Sequence, residues 1–135
     1  MIQHLLEPLP FARCITALFL AILFLQSGLD KVFKFADNRA WLTGHFSKSP
    51  LRNHVMEMLI VVTVVEVAAG ALALIGAGQL VFTHENSLAL LGAQLAALNI
   101  TMLFLGQRLA KDYAGAAALV PYFLLSIAAI WLMSA

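Results

Sequence analysis

The stretch MLIVVTVVEVAAGALALIGAGQLVFT, Met58–Thr83, decides the fold. At 1.5 Å per residue it is long enough to cross a hydrocarbon core of about 30 Å, and it carries one charge, Glu66. Three further runs have the same character. Phe11–Leu29 has one charge, Arg13, at its start, whereas Asn86–Gln107 and Tyr113–Ala135 have none. The chain of 135 residues is 62% hydrophobic and 11% charged, with a mean hydropathy of +0.92. Soluble domains carry about 25% charged residues. Four buried soluble helices would need an amphipathic shell, and no sequence remains to build one. The composition therefore excludes an ordinary soluble domain, a disordered chain and a nucleic-acid-binding protein. It predicts an all-α integral membrane protein, a single domain over 1–135 built as a four-transmembrane-helix bundle in the lipid bilayer.

Local signals place the spans at about 11–29, 58–80, 87–106 and 114–134. Asp37, Asn38 and Gly44 interrupt the pattern after the first, and Ser49-Pro50 is a turn signal before the second. Gly76 and Gly78 loosen the end of the second span, Asn86 and Ser87 suit the N-cap of the third, and Gly106 ends it. Pro121 predicts a kink inside the fourth. The first ten residues hold no Lys or Arg and are broken by Glu7, Pro8 and Pro10, so the first run is read as a retained helix rather than a cleaved signal. The long first loop, 30–54, mixes Phe33, Phe35, Trp41 and Phe46 with Lys31, Lys34, Arg39, Lys48 and Arg52, a composition that suits an interfacial or shallow re-entrant segment.

Charge placement predicts the orientation. Loops one and three share a side and hold Lys31, Lys34, Arg39, Lys48, Arg52, Arg108 and Lys111, against Arg13 alone opposite. The positive-inside rule then puts those loops in the cytoplasm and both termini outside. The net charge of +1 names no electrostatic partner.

Few residues can carry chemistry. The single cysteine, Cys14, excludes an intramolecular disulfide and cysteine-rich metal sites, and reads as a small apolar residue of a helix. His4, His45, His54 and His84 lack metal-ligand spacing, so no metal and no covalently held cofactor is read. Glu66 stands out, because an acid inside the membrane costs at least about 2.5 kcal/mol and must face the bundle and find a partner. Thr63, Ala69, Gly70, Ala73 and Ala77 share its helix face, and small residues there admit a neighbouring helix. Gln94 and Asn99, near mid-depth on the antiparallel third span, are the expected partners and with Glu66 form the candidate ligand site. Ser126 lies at similar depth on the fourth. Gln94, Thr101 and Arg108 share a face that can form a polar stripe. Gln26, Asp30, Lys31 and Arg108 are read as a charged cluster at the cytoplasmic side. The plainer readings are interhelical glue for Gln94 and Asn99, capping for Asp112, an interfacial anchor for Trp131, and a purely structural Glu66.

The chain resembles the DoxX family of small bacterial four-helix membrane proteins. The resemblance rests on Arg13 opening the first span, on FLQSGLDKVFKF (24–35) closing it, on Pro50 in the loop, and on EVAAGALALIGAG (66–78). MauE-like proteins of methylamine utilisation share much of this pattern. The resemblance implies a multi-pass protein of the bacterial inner membrane, an accessory subunit of a respiratory or sulfur-oxidising redox complex such as thiosulfate:quinone oxidoreductase, with no metal of its own. It matches the family's polar positions to Arg13, Lys31 and Glu66. Three functions follow as expectations: a non-catalytic subunit partnered by other membrane proteins, a quinone- or lipid-binding oxidoreductase component, and a small proton-coupled transporter using Glu66. A structural assembly or homo-oligomer is the default beneath them.

Overall fold

The computed structural model describes residues 7–134. The readings of His4 and of the first residues fall wholly or partly outside that range. Among the described residues six helices follow in order: α1 (Pro8–Phe33), α2 (Phe35–His45), α3 (Val55–Thr83), α4 (Ser87–Leu109), α5 (Tyr113–Ala118) and α6 (Val120–Ser134). Helices α1, α3, α4 and the joined pair α5–α6 are each long and apolar enough to cross a membrane, and together they make a four-helix membrane bundle.

Several helices run past the spans read from hydropathy, because the hydrophobic pattern ends with the hydrocarbon whereas the helix continues into the polar interface. Pro8 sits in the first turn of α1, where its missing N–H has no intrahelical role. Asp37, Asn38 and Gly44 do not interrupt helix. The break falls at Lys34, whose φ of −117° and ψ of 38° leave the helical region. Asp37 lies in the first turn of α2, where a carboxylate opposes the positive helix end. The long first loop is thus a second short helix, followed by tight turns through Ser49. The fourth span is interrupted at Leu119, between α5 and α6, two residues before Pro121. That places Pro121 in the first turn of α6, where proline is tolerated.

The helices pack as a ring. The closest partnerships are α1 with α3 and α3 with α4; α6 packs against α4 and more lightly against α1. The core is built largely from alanine, including Ala21, Ala69, Ala73, Ala93, Ala96 and Ala129, around Leu20, Phe24 and Ile100. Lipid supplies no hydrophobic drive between helices, so backbones close in on small residues for dispersion. A Cβ on Gly70 would lie 2.7 Å from the Leu25 backbone nitrogen, and one on Gly76 would run into that of Ala89. Helix α3 therefore touches both neighbours at backbone distance. Phe19, Ile22, Val64, Ile75 and Leu124 point outward as the lipid-facing surface.

At the end of the bundle where α6 finishes, Arg13 Nε donates to the Leu132 carbonyl at 2.7 Å, and the Asn86 side chain donates to that of Met133. Both carbonyls belong to the last turn of α6, which has no intrahelical donors left. At the opposite end, His45 ties α2 to the bundle: its Nε2 lies 2.7 Å from Gln107 Oε1, and its ring stacks on Trp41 at 4.6 Å.

These contacts rank the glycines. Gly76→Ala is expected to cost about 1–3 kcal/mol, since Ala89 presents backbone that cannot rotate away. Gly78→Ala, with nothing within 4 Å of the added carbon, is expected to be neutral or to stabilise by up to about 1 kcal/mol through helix propensity. Denaturation of the two variants in detergent, measured side by side, checks the ranking.

Candidate functional site

The site begins with spacing on two helices. Gly28 and Lys31 lie three residues apart on α1, and Glu66 and Gly70 four apart on α3, so each pair occupies one helix face. Gly28 faces Glu66 and Val67, and Gly70 faces Leu25. The two glycines bring the backbones together at the level of Glu66. Lys31 lies one turn nearer the end of α1, and helical side chains lean toward the N-terminus, so its stem runs inward along α1 toward that level. Its ammonium Nζ ends 3.0 Å from Glu66 Oε2 and 3.5 Å from the Ser27 carbonyl.

The pair is unequally buried. Glu66 is 2% exposed and Lys31 20%. Lysine can reach the interface along its flexible stem, whereas the carboxylate has no route to water. Glu66 stands opposite Gly28, in the last turns of α1, and this level puts a rim cation within reach. Sequence reading put Lys31 in a rim cluster and sought the partners of Glu66 on the third span. The signal that could have joined them is the shared G–x–x–K and E–x–x–x–G arrangement, two small-residue faces each carrying one charge.

Behind the ion pair lies a cavity of about 170 Å³ bounded by all four spans: Leu23, Phe24 and Ser27 from α1, Glu66 from α3, Asn99, Ile100 and Leu103 from α4, and Leu119 and Tyr122 from the fourth span. Asn99 is fully buried, and neither its Nδ2 nor its Oδ1 has a hydrogen-bond partner. Buried amides are almost always paired, and leaving one unpaired costs about 1–3 kcal/mol. The buried hydroxyls of the spans are satisfied within their own helices: Ser126 donates to the Tyr122 carbonyl and Thr63 to that of Leu59. A second space of about 230 Å³ lies beneath α2, lined by Lys31, Asn38, Trp41, Phe46 and Gln107 among others. Lys31 borders this rim-side space, and Glu66 borders the inner cavity.

The remaining expected site residues lie elsewhere. Gln94 is exposed on the outer face of α4 and does not meet Glu66, because it stands five positions from Asn99 and so on the far side of the helix. Thr101 and Arg108 are exposed with it, so that polar stripe faces outward. The expected cluster of Gln26, Asp30, Lys31 and Arg108 does not form. Asp30 is exposed and lies 3.9 Å from Lys34, Arg108 covers the Tyr113 ring at 4.5 Å, and Gln26 faces outward. Asp30 and Lys31 are about 100° apart around α1, so one faces out when the other faces in. Arg13 is spent on the end of α6. Asp112 Oδ1 accepts from the Gly115 backbone N–H at 2.9 Å, as the N-cap of α5. Among the described residues no three His, Cys, Asp or Glu side chains gather into a metal-holding group.

Comparison with protein-family models, with curated proteins and with solved structures gives no match for this chain.

Removing one member of a buried pair strands the other. Lys31→Met, which leaves the more deeply buried charge, is expected to cost about 3 kcal/mol. Glu66→Gln leaves an ammonium able to extend into the rim-side space and should cost clearly less. Replacing both, Lys31→Met with Glu66→Leu, should recover most of the loss. Unfolding of the three variants in mixed micelles checks the order, and equal losses from the two single changes would contradict it.

Proposed function

We propose that this protein binds a small ring-shaped apolar molecule bearing hydrogen-bonding oxygens, of the quinone class, in the cavity between its four spans. The observation that carries the reading is Asn99, a wholly buried amide with donor and acceptor both unpaired on the wall of an otherwise mostly apolar space. Ligand sites of this kind join apolar walls to a few placed polar groups. An amide suits both redox forms of such a ligand. Its NH2 donates to a ring carbonyl, and its carbonyl accepts from a ring hydroxyl. The size also fits, since a cavity of about 150 Å³ holds a benzene ring. Glu66 supplies a second acceptor, with its charge balanced by Lys31. No residue of the site provides a redox centre, so the protein's part is to hold and orient the molecule.

A second reading, the non-catalytic subunit of a membrane redox complex of the kind implied by the DoxX resemblance, is favoured by Gln94. This amide faces outward within the span and makes no hydrogen bond among the described residues, which suits contact with another membrane protein. The two readings are compatible. The proton-coupled transporter has less support, since the carboxylate it would use is already balanced by an ammonium at 3.0 Å. The orientation proposed from the lysines and arginines puts α2 and the turn at Lys111 on the cytoplasmic side of a bacterial inner membrane.

Organic extraction of protein purified from quinone-rich membranes is expected to yield quinone, and Asn99→Leu to reduce the yield about tenfold, the equivalent of one hydrogen bond of about 1.4 kcal/mol. Wild-type extracts free of quinone, or an unchanged yield from Asn99→Leu, would refute the assignment. For the orientation, Lys48→Cys in a Cys14→Ala background should react with an impermeant thiol reagent in inverted vesicles and be protected in intact spheroplasts.

A further inference from the structure

The polar stripe on the outside of α4 takes no part in the cavity. Leu91, Leu98 and Leu105 recur every seven residues there, and all three are exposed. Between them, again seven apart, stand Gln94 and Thr101, both exposed, with Ser87 and Arg108 carrying the row to the two ends of the helix. Steps of three and four on an outer face follow for any helix with one side buried. What this helix adds is sorting: leucines occupy one row of the seam and polar side chains the other, in the a and d positions through which two parallel helices pack. The outward side of α3, by contrast, has no exposed polar residue from Ile60 to Phe82. Gln94 lies about 10 Å along α4 from Ser87, within the hydrocarbon. Its amide makes no hydrogen bond among the described residues, and lipid tails offer it none.

We propose that this seam is the contact between two copies of the chain, related by a two-fold axis along the membrane normal. Copies of one membrane protein insert the same way up, so a two-fold between them runs along the normal and sets α4 parallel to its counterpart. Same-numbered residues then meet at equal depth, leucine on leucine and Gln94 on the partner's Gln94. A side-chain amide carries both donor and acceptor, so two glutamines facing each other across the axis satisfy each other reciprocally. Hydrogen bonds of this kind hold membrane helices together. A different protein would have to present a polar group at the depth of Gln94 and apolar surface at the depths of three leucines, whereas a second copy does so by symmetry. The heptad spacing gives a left-handed crossing of about 20°. Arg108 ends the row in the last turn of α4, over the Tyr113 ring at 4.5 Å, at the rim where water screens its charge from its counterpart. The inference shares Gln94 with the second reading above and makes a second copy the protein that covers this face. It does not depend on the ring site, because Asn99 points to the opposite side of α4.

Single cysteines in a Cys14→Ala background, oxidised in native membranes with copper phenanthroline, test the contact. Leu91→Cys, Leu98→Cys and Leu105→Cys are expected to give a disulfide-linked band at twice the chain mass, clearly stronger than Val64→Cys and Ile75→Cys, which are equally exposed on α3. Gln94→Leu changes an outward side chain and should melt as wild type does. It is expected to raise the dissociation constant of the dimer about tenfold, read as energy transfer between labelled copies in vesicles of falling protein-to-lipid ratio. Equal linkage from the α4 and α3 cysteines overturns the inference, and so does a Gln94→Leu variant that associates as tightly as wild type. A seam cysteine that links to a different polypeptide in place of its own copy also overturns it, and leaves the second reading standing. A seam that links neither to a second copy nor to any other protein removes both.

Discussion

One carboxylate that cannot reach water constrains the middle of this bundle. Glu66 must be matched inside the protein, and Lys31 can match it only if α1 and α3 approach at backbone distance. Gly28 and Gly70 allow that approach, one on each helix, within a turn of the charge they serve. The ion pair and the tight α1–α3 contact are thus one feature seen from two sides. Helix α3 then uses Gly76 and the alanines near it to take α4 at similar closeness, which makes it the shared wall of the structure.

What remains loose is the fourth span. It packs against α4 and only lightly against α1, and it is interrupted at Leu119. Its far end is drawn in by Arg13 and Asn86, which complete the terminal carbonyls of α6. The cavity lies where the interrupted span meets the tightly paired helices, and Asn99 borders it with its amide buried and unpaired. The same break that separates α5 from α6 places Leu119 on the wall of the cavity.

The spans were legible in the sequence because hydrocarbon thickness imposes a length and a composition that few other structures share. Glu66 was legible for the same reason, as the one acid within a span, and its small-residue face marked the direction it points. Its partner was not. Periodicity tells which residues of one helix share a face, but the register between two helices depends on where their small residues meet. Gln94 and Asn99 look alike as polar residues of one span, yet five positions on a helix place them on opposite sides, and only the neighbours decide which side is inside. Asp37 and Asn38 read as breakers by composition, although both lie within the helix α2.

By itself, then, the sequence determined a four-span membrane bundle, the side on which its cations gather and the single carboxylate that has to be resolved within it. These follow from the free energy of moving residues between water and lipid, which each residue carries with it. Only the tertiary structure decided that Lys31 resolves the charge, that Asn99 is left unpaired beside a cavity and that Gln94 faces out. Those outcomes depend on backbone separations of a few ångströms between helices, set jointly by glycines on different spans, and no single segment carries that information.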